Sequence, residues 1–173
     1  TGQVTGDASP FFWITNGLLL LLGASSVSGL VTSALPRVGA RGNAPFWSAG
    51  MLALATLTAI ITVLSWGLNH EHVHHAASVM NDPAPWYWQC GLYGSMAGAI
   101  VALASVLYLR RGAPVALERS GWLTGLASGS LGALAYNITC PLDTLAHVGI
   151  WHTMPVLIWA VAGRLIVPPL IRW

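Results

Sequence analysis

The chain has 173 residues, of which 55% are hydrophobic and only 7% charged, with a formal net charge of +2. A soluble domain carries about 25% charged residues, so the composition excludes an ordinary soluble enzyme or binding module and indicates an integral membrane chain. The seven basic residues are all Arg and are scattered, which makes no basic stripe for nucleic acid. No Rossmann, P-loop or CxxC pattern supports nucleotide or thioredoxin-type chemistry.

Residues 1–10 are polar, carry Asp7 and end at Pro10. They lack the charged n-region of a signal peptide. The chain begins at Thr1 without a Met, and the expectation is that an N-terminal segment precedes it. Phe11 to Leu35 forms the first predicted span, opened by the aromatic anchor Phe11, Phe12 and Trp13 and closed by Pro36. A link with Arg37 and Arg41 leads to a second span, 46–68, opened by Phe46 and Trp47. A long polar stretch follows, NHEHVHHAASVMNDPAPWYWQ. The third span is 86–109, and its link carries Arg110, Arg111, Glu118 and Arg119. The fourth is 122–140 and the fifth 145–167, with Pro168 and Pro169 ending the last helix. Each span has the ~20 apolar residues needed to cross a bilayer as a helix. The fold expected is all-α, a polytopic transmembrane helical bundle in one domain over 1–173, with five spans visible. Small residues such as Gly23, Ser28, Gly94, Gly98, Gly125, Gly129 and Gly132 fit ordinary close helix packing.

With five spans, all seven Arg fall on one side, and all six His and both Cys fall on or near the other. The positive-inside rule makes the Arg side and the C-terminus cytoplasmic.

Cys90 opens the third span and Cys140 closes the fourth, so both reach the outer face although fifty residues apart. In that oxidising compartment a disulfide or a reactive pair is one reading, and two small buried hydrophobes is the other. Asp143 and His147 are near enough in sequence to tune Cys140, though Asp143 also suits a helix cap. His147 and His152 sit in the first turns of the fifth span, where an ionisable residue is a functional candidate.

His70, Glu71, His72, His74 and His75 follow the second span. His70-Glu71-His72-Val73-His74 matches H-E-x-x-H, which on a helix puts two imidazoles on one face for Zn²⁺ or Cu²⁺. No third ligand follows at a zincin spacing, so a His-rich polar loop ranks first, accessory metal binding at His70, His72, His74, His75 and His152 second, and a membrane metalloprotease a distant third.

Leu109-Arg110-Arg111-Gly112-Ala113-Pro114, Gly132-Ala133-Leu134-Ala135-Tyr136, Cys140-Pro141 with Asp143, Trp151-His152-Thr153 and Ile171-Arg172-Trp173 together resemble the NrsF family of membrane anti-sigma factors. The match is specific from about Trp86 to Trp173. It is weaker before, where Ala8-Ser9-Pro10-Phe11-Phe12-Trp13 is similar to the entry to the family's second span. The resemblance implies six spans with both ends cytoplasmic, so this sequence reads as N-terminally truncated. It implies an inner-membrane, non-enzymatic regulator that holds an extracytoplasmic-function sigma factor inactive. It also implies that a cysteine pair, matched by Cys90 and Cys140, takes part in the response to metals or oxidants. Two departures stand out: the His-rich segment 70–75 is outside the family pattern, and His152 replaces a Tyr. The competing reading is an accessory helical subunit of a larger membrane complex, with His ligating metal or haem.

Overall fold

The computed structural model describes residues 10–34, 43, 45–47, 49–50, 53, 57, 87–112, 114–140 and 147–172. Its long elements are α1 (Pro10–Ala34), α2 (Tyr87–Arg111), α3 (Leu117–Asn137), a π-helical turn (Val148–His152) and α4 (Met154–Leu170). No strand occurs among the described residues, as the all-α expectation requires. Most of the second predicted span lies outside the described residues, but positions 45–47, 49, 50, 53 and 57 are helical, consistent with its start.

Helix α3 is the hub. Its Asn137 end meets Asn16 near the start of α1, and its Ser120 end meets Ser33 near the end of α1. Its glycines face Gly94 and Gly98 of α2 on one side and Val156, Trp159 and Gly163 of α4 on the other. So α1, α2 and α4 all run antiparallel to α3 and pack on it from different sides.

Among the described residues, three segments are long and apolar enough to cross a membrane: Phe12–Ala34, Trp88–Arg111 and Val148–Leu170. Their outward residues include Leu20, Ile100, Leu103, Ile158 and Leu165, all exposed, as a hydrocarbon solvent requires. The fourth predicted span has the length, 21 residues, but it is not among those three. The physical reason is its burial. Ser120, Gly121, Thr124, Gly125, Ser128, Gly129, Ser130 and Gly132 are covered by neighbouring helices, so close approach selects small residues there. Two of their hydroxyls bond within the helix: Ser128 Oγ donates to the Thr124 carbonyl at 2.7 Å and Ser130 Oγ to the Leu126 carbonyl at 2.5 Å.

Among the described residues, two apolar clusters fill the spaces between helices. Leu19, Leu22, Leu126, Ala133, Val156 and Ala160 form one, and Leu30, Leu109, Leu123, Ala127, Val167 and Ile171 the other.

Three boundaries differ from the sequence reading. Helix α3 begins at Leu117, so Glu118 and Arg119 belong to its first turn rather than to a link. A carboxylate there suits the positive end of the helix dipole. Helix α3 ends at Asn137, so Cys140 lies beyond it in a turn closed by Thr139 N–H to the Tyr136 carbonyl and Cys140 N–H to the Asn137 carbonyl. Helix α4 passes through Pro168 and Pro169 to Leu170. Its last turn holds because the Ile171 N–H reaches the Val167 carbonyl at 3.2 Å, spanning both prolines.

The contact between α3 and α4 gives a test. A Cβ at Gly125 would collide with the Trp159 backbone carbonyl, and it would lie 2.7 Å from Ala160 Cα, with no flexible side chain to yield. A Cβ at Gly17 meets nothing within 4 Å. Gly125→Ala is therefore expected to lose about 1–3 kcal/mol of stability through overpacking, while Gly17→Ala loses none. Reversible unfolding of both variants in detergent measures the difference.

Candidate functional site

The two ends of the bundle differ in chemistry. Arg110 and Arg111 end α2, Arg119 lies in the first turn of α3, and Arg164 and Arg172 lie near the end of α4. The antiparallel packing brings these ends together. Arg164, although set back from the helix end, extends to Glu118 in an ion pair of 2.7 Å. The opposite end holds Cys90 at the start of α2, Cys140 just past α3, and His147 and His152 ahead of α4. At 1.5 Å per residue, the twenty residues from Cys90 to Arg110 put the two ends about 30 Å apart.

Cys90 and Cys140 meet because α2 and α3 approach at backbone distance just below them. A Cβ on Gly132 would strike the Gly94 carbonyl and the Gly98 backbone, so neither helix has a side chain between them there. One turn further out, Gly91 leaves room for Trp151, whose carbonyl and ring stand 3.4 and 3.6 Å from where a Cβ would be. The two sulfurs come within 3.8 Å, and both thiols are unbridged.

The π-helical turn supplies the histidines. In an α-helix a step of five residues rotates a side chain roughly 140° away from its starting direction. The wider π turn, with its i to i+5 closure, brings His147 and His152 together instead. Their Nε2 atoms are 3.3 Å apart and their rings meet edge to face at 5.2 Å. His147 Nε2 also lies 3.3 Å from Cys140 Sγ. Thr153 steadies the turn, its hydroxyl donating to the Gly149 carbonyl. Tyr136 stacks on His152 from one side and on Tyr93 from the other, with ring centroids 6.4 and 5.5 Å away.

The result is a buried group of two sulfurs and two imidazoles whose ligand atoms all lie within 4.8 Å of one another. Cys90, Cys140, His147 and His152 are 7%, 2%, 4% and 1% exposed, so bulk water does not compete for these atoms. Soft sulfur and borderline imidazole donors suit a thiophilic cation, and two adjacent thiols also suit oxidation to a disulfide.

Of the residues singled out in the sequence, the structure brings together Cys90, Cys140, His147 and His152. Asp143 lies outside the described residues, as do His70, Glu71, His72, His74 and His75. By sequence alone His152 ranks with the His-rich segment, and His147 is a modulator of Cys140. The structure pairs the two with each other and with the cysteines. The i to i+5 spacing hid this, because it has no meaning on an α-helical wheel. Tyr136 and the pair Asn16–Asn137, bonded at 3.0 Å beside this end of the bundle, were also missed.

A family model described as "NrsF: Negative regulator of sigma F" matches residues 4–173. The chain belongs to the NrsF family. A protein of Azospira oryzae named as a probable anti-sigma-F factor NrsF is 26% identical over 165 residues, which cover 95% of this chain and 73% of that relative. No solved structure matches the chain. The family is one of negative regulators of sigma F, so this chain is placed among regulators whose partner is a sigma factor.

The geometry makes a direct chemical expectation. Disulfide formation needs the sulfurs to close from 3.8 Å to about 2.05 Å, a movement within side-chain rotation. Mild oxidation of the full chain should convert the pair to an intramolecular disulfide, read as the loss of two hydrogens in the intact mass and of both alkylatable thiols. Dimers linked between chains, or two thiols that persist, would contradict the geometry.

Proposed function

We propose that this chain is an inner-membrane anti-sigma factor that sequesters an extracytoplasmic-function sigma factor at its arginine end and releases it when Cys90 and Cys140 meet an oxidant or a thiophilic metal. Membership of a family of negative regulators of sigma F supports the regulatory part. The observation that carries the sensing part is the convergence of two cysteines fifty residues apart at 3.8 Å, on the end of the bundle opposite the arginines. Arginines gather on the cytoplasmic side of membrane proteins. On this reading the sulfurs then face the oxidising compartment, where thiols are not held reduced.

The oxidation balances simply. Two thiols lose two protons and two electrons and form one S–S bond, while hydrogen peroxide accepts them and leaves as two waters. The new bond ties the start of α2 to the turn after α3. Helix α3 touches every other described helix, so a shift of its end changes the packing seen at the far end. A signal acts only by favouring one of two packings over the other.

The partner surface on this reading is the groove at the arginine end, about 700 Å³ in volume, lined by Phe46, Val115, Leu117, Trp122, Arg119 and Arg172, together with the ion pair of Glu118 and Arg164. Arg119 lies over the Phe46 ring at 5.7 Å, and Val115 is 86% exposed. An apolar floor with a cationic rim suits an amphipathic acidic helix.

Two measurements check the proposal. Cys90→Ser and Cys140→Ser should each leave a repressor that inserts and silences a sigma-dependent promoter but fails to release it under oxidant or thiophilic-metal stress. His147→Ala should shift the response threshold. If both Ser variants respond like the unaltered chain, the cysteines are packing residues. For orientation, reporters fused after Arg111 and after Trp173 should read cytoplasmic and one after Asp82 external. A cytoplasmic signal at Asp82 would remove the outward position of the thiols.

A further inference from the structure

From the four convergent side chains we infer that Cys90 Sγ, Cys140 Sγ, His147 Nε2 and His152 Nε2 form one closed, tetrahedral site for a thiophilic divalent d¹⁰ cation, Zn²⁺ or its heavier congener Cd²⁺. Its role as an input rests on the sensing reading above, whereas the coordination rests on geometry alone.

Three of the six edges between these four atoms come close to those of a tetrahedron, and all six lie within 4.8 Å. Zn–S bonds of about 2.3 Å and Zn–N bonds of about 2.05 Å set ligand edges of about 3.8 Å for S···S, about 3.6 Å for S···N and about 3.3 Å for N···N. The corresponding distances are 3.8 Å between the sulfurs, 3.3 Å from Cys140 Sγ to His147 Nε2 and 3.3 Å between the imidazole nitrogens. As hydrogen-bonding groups alone these atoms fit poorly. His147 Nε2 meets a sulfur and a second Nε2 at equal distance, and one lone pair or one proton cannot serve both at full strength. A cation at the centre uses the lone pair of every ligand.

Charge selects the ion. Two thiolates and a dication sum to zero, so the loaded site adds no net charge to a buried, apolar place. Cu⁺ would leave it at −1. Mg²⁺ and Ca²⁺ require oxygen ligands. Four protein ligands also leave no open position, which marks a structural or sensing centre rather than a catalytic one. The π turn is the device that makes the site, since it alone aligns two imidazoles five residues apart.

The test uses the full chain in detergent, carrying His70→Ala, His72→Ala, His74→Ala and His75→Ala so that the His-rich segment does not compete. Co²⁺ serves as the spectroscopic probe. One equivalent should bind, with the visible bands of tetrahedral cobalt and a near-ultraviolet thiolate-to-cobalt charge transfer, and Zn²⁺ should displace it. Affinity should rise with pH, because only thiolate and neutral imidazole ligate. His152→Ala and Cys90→Ser should each weaken binding by more than the ~100-fold typical of outer-shell partners. Absence of Co²⁺ uptake, a six-coordinate spectrum, or unchanged binding in both His147→Ala and His152→Ala overturns the site. A promoter that ignores Cys90→Ser while cobalt binds as described sinks only the signalling reading. A promoter that needs the cysteines in a chain that binds no cobalt sinks only the metal site.

Discussion

The helices of this protein meet at backbone distance because α3 places glycine where α2 and α4 come closest to it. A Cβ at Gly132 would strike α2, and Cβ atoms at Gly121, Gly125 and Gly129 would strike α4. In hydrocarbon there is no hydrophobic force to draw helices together, so association rests on such close van der Waals contact and on interhelical hydrogen bonds. Both are present. Asn137 Nδ2 donates to Asn16 Oδ1 at 3.0 Å at one end of the α1–α3 seam, and the Ser33 and Ser120 hydroxyls stand 3.5 Å apart at the other. Two polar contacts nearly five turns apart, at about 3.6 residues per turn, fix the sliding register of a seam that small residues alone would leave free.

That register decides what the ends of the bundle hold. A one-turn slip of α2 along α3 moves a residue about 5.4 Å. That is more than the 3.8 Å now separating Cys90 and Cys140 Sγ. The sulfur pair is thus a sensitive reporter of helix position, and a change at the pair is equally a lever on helix position. Coupling of this kind needs a stiff element between the ends and two packings of similar free energy. Helix α3, continuous from Leu117 to Asn137, is such an element.

On the proposed reading the same two sulfurs serve either of two chemistries. A thiolate held by a cation has no partner to oxidise with until the cation leaves, and a disulfide has no thiolate to offer a cation. On the proposed reading, metal and oxidant therefore act on one site as alternatives. The neighbouring imidazoles bias that choice, because they add two ligands to the metal-bound form and none to the disulfide.

The amino-acid sequence by itself determined the all-α class and the places of three apolar helices. Runs of about twenty apolar residues have one solution in a bilayer, the helix, since only it satisfies every backbone group within the segment. Hence α1, α2 and α4 lie where the apolar runs do, and the arginines gather at one end of the bundle. The family was legible too, in short strings around Arg110, Tyr136, Cys140 and Trp151. The sequence could not reveal that α3 is less apolar because it is enclosed, since a Gly and Ser run has the same letters whether it faces lipid or another helix. Nor could it assign partners. Cys90 and Cys140 meet only through the contact of Gly94 and Gly98 with Gly132, which no pattern along one strand of residues encodes. His147 and His152 join them only because the backbone there adopts a π turn, and an i to i+5 pair becomes neighbourly in that geometry alone. Spacing along the chain governs which side of a helix a residue takes. The tertiary contacts governed which sides met, and those contacts made four scattered residues into one site.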